Sequence, residues 1–240
     1  TSTAPGSQLT VAITAPAAGT CVAMTGSLIF TKQTSGVSAK FPIATSPTVA
    51  GSATGAGQEL GISAAFDGTN YLVGIQGDAT AMYNVTAQLM DASGNLVGPR
   101  ISTGRTGGAP DVAFNGTNYL MVWPDDATYP NFVIYGEVLS KTGTVVKAPF
   151  AISTTVGNFN DGGHIICLGG VCRVMWADKT TKAVYGRDID SSGGFFSNEY
   201  GIESGTAAGF PGGDPFAACD ASGNCLAVYD TGTDIRGSIG

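Results

Sequence analysis

Ala65-Phe66-Asp67-Gly68-Thr69-Asn70-Tyr71-Leu72-Val73 returns 48 residues on as Ala113-Phe114-Asn115-Gly116-Thr117-Asn118-Tyr119-Leu120-Met121. A further 53 residues on, the same register falls on Cys167-Leu168-Gly169-Gly170-Val171-Cys172, and then on Cys219-Asp220-Ala221-Ser222-Gly223-Asn224-Cys225, one residue longer in the turn. Each copy reads as a strand, a glycine-containing turn and a second strand. The second strand runs to a large side chain at one repeating position: Ile75, Trp123, Trp176 and Tyr229.

The flanking segments keep the same period. Gln88 to Gly94, Glu137 to Gly143 and Arg187 to Gly193 align at spacings of 49 and 50. Their Asp or Ser followed by Gly three residues later is type I turn chemistry. Fourth strands are expected at Arg100–Thr103, Phe150–Thr154 and Tyr200–Ser204, which makes four short strands per repeat. Nearer the start, Phe30 to Gly36 matches a third strand with its turn and Lys40–Thr45 a fourth, with Leu9–Thr14 and Cys21–Thr25 extended before them. Asp234–Ile239 matches a third strand at the other end. Nineteen strands is one short of five four-stranded units.

A repeated unit of about fifty residues with four antiparallel strands is what a β-propeller requires. The expectation is an all-β, five-bladed propeller in one domain over 1–240, with blades near 8–49, 50–107, 108–155, 156–206 and 207–240 and one blade incomplete. Leu9–Thr14 either completes the last blade or forms the innermost strand of the first; the short edge is then covered by loops or paired with a strand from another molecule. The motif from Asp67 to Val73, with its partner at Asn115 to Met121, resembles the repeat of secreted bacterial β-propeller proteins, whose inner hairpin carries D/N-G-T-N-Y-L-V or a cysteine-bridged equivalent. The resemblance covers roughly residues 26 to 240. It implies a fold and leaves function open, since propellers host many activities.

Composition bounds the function. The 240 residues include 36 glycines, only 12% are charged, and 43% are hydrophobic, enough to bury a core and to exclude wholesale disorder. Eighteen acids against 11 bases give a net charge of −7, which argues against a nucleic-acid partner held through phosphates. No apolar run approaches a membrane span. The chain opens Thr1-Ser2-Thr3 without an initiator Met or a signal-type apolar run, so any targeting segment is expected to have been removed or to lie outside this sequence.

Five cysteines stand at 21, 167, 172, 219 and 225. Cys167 with Cys172, and Cys219 with Cys225, each flank a short turn and are expected to bridge facing strands, which implies an oxidising compartment and an extracellular or cell-surface location. Zinc fits these gaps poorly, with no nearby histidine. Cys21 is left as a buried thiol or an intermolecular link.

The equivalent position on the four inner strands holds Ser63, Asp111, His164 and Phe216. A glycosidase needs two carboxylates across a sugar site. Only Asp111 is acidic at that position, with Glu59, Asp161 and Asp214 near the strand entrances. His164 is the sole histidine; Asp111 and His164, on adjacent blades, are close enough to touch, and they are weak catalytic candidates. Asp125, Asp126 and Tyr129 occupy a long loop and are candidate ligand contacts. Loop aromatics open to a sugar are Tyr83, Tyr129, Phe159, Phe195, Phe196 and Phe210, whereas Trp123 and Trp176 read as packing between blades. Asp91 to Asn95 and Asp220 to Asn224 repeat but lack the alternating oxygen ligands of a calcium loop, and no G-x-S-x-G elbow occurs. Asn84-Val-Thr86 and Asn115-Gly-Thr117 match the glycosylation sequon. No metal or cofactor is expected. The preferred expectation is a non-catalytic binding or assembly module of the cell exterior, its partners protein neighbours in a surface or filamentous structure, or glycans. A carbohydrate-binding lectin and a propeller glycoside hydrolase are the alternatives.

Overall fold

The structure is a computed structural model that describes residues 31–34, 37–40, 62–78, 81, 83–154, 160–203, 215–220, 222–230 and 234–239. Cys21 and Leu9–Thr14 lie outside the described residues.

Every regular element described is a strand. A short pair, β1 (Thr31–Thr34) and β2 (Val37–Lys40), comes first. The second strand of this pair begins at Val37, earlier than the expected Lys40–Thr45. Then come β3 (Ile62–Phe66), β4 (Asn70–Gln76), β5 (Asn84–Asp91) and β6 (Leu96–Thr106). The next set is β7 (Asp111–Phe114), β8 (Tyr119–Asp125), β9 (Val133–Leu139) and β10 (Val145–Ala151). It is followed by β11 (Asn160–Leu168), β12 (Val171–Asp178), β13 (Ala183–Asp190) and β14 (Tyr200–Glu203). Last are β15 (Phe216–Cys219), β16 (Cys225–Asp230) and β17 (Ile235–Ile239). Each set is an antiparallel meander, giving three four-stranded sheets and one three-stranded sheet. The four sheets are the repeats, as the spacing requires.

The first hairpins close by side-chain capping. Asp67 Oδ1 accepts the amides of Thr69 and Asn70 at 2.7 Å each, and Asn115 Oδ1 accepts those of Thr117 and Asn118 at 3.0 and 2.8 Å. Gly68 and Gly116 sit at φ +94°, where a Cβ is strained. In the other two copies the hairpin is bridged covalently: Cys167 faces Cys172 and Cys219 faces Cys225 in the ladder, and both pairs are disulfides.

Consecutive sheets pack face to face, and their first strands β3, β7, β11 and β15 contact one another in succession, as propeller blades do. One apolar layer, including Leu72, Leu89, Tyr119, Met121 and Trp123, fills the space between β3–β6 and β7–β10. Another, including Val122, Ile134, Val174 and Trp176, fills the space between β7–β10 and β11–β14. Trp123 and Trp176 are fully buried, in the packing role expected of them. Because both faces of an inner sheet are covered, β8 is buried along its whole length, and polar–apolar alternation is lost there. Among the described residues no helix is long and apolar enough to cross a membrane.

Candidate functional site

The first strand of each sheet carries one residue at the same ladder position. Ser63 faces Gly74, Asp111 faces Val122, His164 faces Met175 and Phe216 faces Val228. Since the first strands stand side by side, these four residues meet and line one pocket of about 320 Å³. Pro110, Pro124 and Ile62 add apolar wall. Gly162 and Gly163 sit where the β11–β12 register shifts, with Gly162 at φ +67°. This bulge re-aims the strand just before His164.

Asp111 is the hub. Ser63 Oγ donates to its Oδ1 at 2.6 Å, and the Val112 amide donates to the same oxygen at 2.9 Å. His164 Nδ1 donates to Oδ2 at 2.7 Å and the Ile165 amide at 3.0 Å. Burial is the largest single influence on this carboxyl and raises it. The His164 and Ser63 hydrogen bonds, the His164 charge and the Ile165 amide together outweigh burial and hold it below the usual carboxylate value. Asp111 is therefore an ionised acceptor at neutral pH, fitted to electrostatic stabilisation or base work and not to proton donation. With Nδ1 committed to Asp111, Nε2 is the His164 nitrogen left for another group. That nitrogen is buried and has no hydrogen-bond partner among the described residues. The Phe216 ring lies 5.0 Å from the imidazole at 54°.

The expectation that Asp111 and His164 touch is met. Ser63 and Phe216, which were placed only by register, complete the cluster; the signal was in the sequence as one repeating position. The loop candidates go elsewhere. Asp125 is 2% exposed and accepts from Arg105 Nε and Nη2 at 2.5 and 2.8 Å and from the Ala127 amide at 3.2 Å. Asp126 accepts from the Thr106 hydroxyl. Tyr129 is 75% exposed and packs edge-on to Phe132. None of the three lines the pocket. Tyr83, Phe195 and Phe196 are exposed but also lie away from it, Phe195 lying under the Arg187 guanidinium at 4.0 Å. Glu59, Asp214, Phe159 and Phe210 fall outside the described residues, as does the Asp161 side chain.

The calcium-like turns are hairpin turns. Asp91 and Asp220 each spend both carboxylate oxygens on donors of their own turn, Ser93 and Asn95 in one and Ser222 and Asn224 in the other. Among the described residues no group of three or more His, Cys, Asp or Glu gathers to hold a metal. Of the sequons, Asn115 has its Nδ2 buried, so the folded chain does not present it for glycosylation.

No protein-family model and no curated protein matches the chain. Solved structures match in fold. Bacteroides ovatus Xyloglucan PUL GH43B matches with a TM-score of 0.49 at 13% identity, over 74% of this chain and 37% of that one. The neuraminidase-like protein of A/little yellow-shouldered bat/Guatemala matches with 0.49 at 10% identity, over 76% and 58%. The endo-arabinase from Bacteroides thetaiotaomicron matches with 0.46 at 16% identity, over 78% and 76%. The chain thus spans little more than a third of the first of these and under two thirds of the second. The expectation of a non-catalytic binding or assembly module is corrected here. The structures matched are named as an endo-arabinase, a xyloglucan PUL GH43 protein and a neuraminidase-like protein.

Proposed function

We propose that this chain is a secreted five-bladed β-propeller of the glycoside hydrolase kind, with its sugar site in the pocket between the first strands. One observation carries the reading. Four successive inner strands deliver Ser63, Asp111, His164 and Phe216 from one repeat position to one concavity, and they hold there an ionised carboxylate beside apolar wall. Glycoside hydrolysis needs such a carboxylate against a developing oxocarbenium ion, paired with a proton-donating carboxyl. Asp111 fits the first role; Glu59, Asp161 and Asp214, near the strand entrances, are the candidates for the second. The resemblance to secreted bacterial propeller repeats and the two disulfides support an extracellular location. Four sheets and one strand pair among the described residues support the count of five blades.

The test is hydrolysis of a panel of aryl glycosides and oligosaccharides by the whole chain. Turnover that falls by a hundredfold or more in D111N, with the fold intact, supports the reading. Glycan binding without turnover in the wild type would replace it with the lectin alternative, and neither binding nor turnover would reject it.

A further inference from the structure

Among the described residues lining the pocket, one buried polar atom is left unsatisfied. His164 Nε2 is buried without a hydrogen-bond partner, while Nδ1 on the same ring is tied to Asp111 at 2.7 Å. A buried, unpaired polar atom is costly, and such an atom in a native site calls for a partner beyond the described residues. A hydroxyl, which both donates and accepts, satisfies Nε2 whichever protons the ring carries. Next to the imidazole lies Phe216, which is 55% exposed. Rotation of an exposed side chain is fast, so the ring can turn to offer its face to the C–H side of a saturated ring. The only ionisable groups among the described lining residues are Asp111 and His164. An anionic ligand would meet the Asp111 carboxylate at short range and a chain of net charge −7 at long range, both repulsive.

We propose that the ligand is a neutral polyhydroxylated ring, one hydroxyl of which hydrogen-bonds His164 Nε2 while its C–H face lies on Phe216. This rests on the carbohydrate reading above and narrows it to uncharged sugars, excluding uronic and sialic acids.

Because His164 is the only histidine in the chain, its imidazole ¹⁵N resonances need no assignment by mutation. The experiment titrates the whole chain with neutral oligosaccharides (xylo-, arabino- and gluco-configured) and, separately, with oligogalacturonate and sialyllactose. Binding is followed by calorimetry and by the imidazole resonances. The expected result is binding of a neutral sugar with a shift of Nε2, and at least tenfold weaker binding of the acidic ones. H164N keeps an amide N–H near the place of Nδ1–H, so it can still donate to Asp111, but it has nothing at Nε2. It should bind about tenfold more weakly, the worth of one hydrogen bond, and F216A should also bind more weakly. Acidic sugars binding as tightly as neutral ones, or neutral binding that leaves the imidazole unmoved, overturns the inference while the sugar site stands. No sugar binding at all removes both.

Discussion

Asp111 Oδ2 and His164 Nδ1 stand 2.7 Å apart across the gap between two neighbouring sheets, 53 residues distant in sequence. The pair joins β7 to β11 and sets the ring orientation of the one histidine. Ser63 extends the same network to β3. Asp111 therefore ties three sheets together.

For D111N the acid limb of the stability profile is the measurement. The folded-state value of Asp111 is depressed, so its stabilisation is present above the unfolded value of about 4 and is lost as pH falls through the lower folded value. D111N should be less stable than the wild type at pH 7 by about 2–4 kcal/mol, and the difference should shrink below about pH 4. A constant difference between pH 3 and pH 7 in urea midpoints would contradict this.

Glu137 has the opposite sign. It is 1% exposed, with Oε2 unpartnered among the described residues, and burial pushes its carboxyl up to about 7. The folded state then keeps a proton that the unfolded state has released, so stability falls as pH rises from about 4.5 to about 7. E137Q should remove that slope and gain about 2–3 kcal/mol at pH 8 relative to the wild type, with little change at pH 4. Chemical denaturation at the two pH values checks it.

Gly74 lies opposite Ser63, and a Cβ there would meet Val112 Cγ2 at 2.8 Å and Pro110 Cγ at 3.1 Å. Both neighbours flank Asp111. G74A should cost about 1–3 kcal/mol through overpacking and lower turnover beyond what the thermal shift explains, because it moves the strand that holds Asp111. Activity at a temperature where both proteins are folded separates the two effects.

Each disulfide closes a short loop, with sequence separations of 5 and 6. Chain-entropy arguments give about 2 kcal/mol for loops of this size. The paired changes C167S/C172S and C219S/C225S should each lower thermal stability by several degrees. The second pair should also raise amide exchange in β15–β17, a sheet of three strands only. Equal exchange in that sheet with and without the bridge would show that the bridge contributes nothing locally.

What the sequence alone determined is local. An Asp or Asn followed by glycine caps its own turn wherever it stands, since the donors lie two and three residues away. Hairpins, their period and the cysteine pairs could therefore be read off directly. The register even lined up Ser63, Asp111, His164 and Phe216, because equal positions on repeated strands are equal positions around an axis. Tertiary structure decided what each polar group faces. Asp125 reads as a loop ligand but turns inward to Arg105, 20 residues earlier, and Glu137, at the start of the Glu137–Gly143 repeat, is buried although nothing in its spacing says so. In a stack of sheets both faces of a strand are covered, so alternation no longer says which side is dry. The partner of a charge is then set by the neighbouring blade, and no spacing within one repeat encodes it.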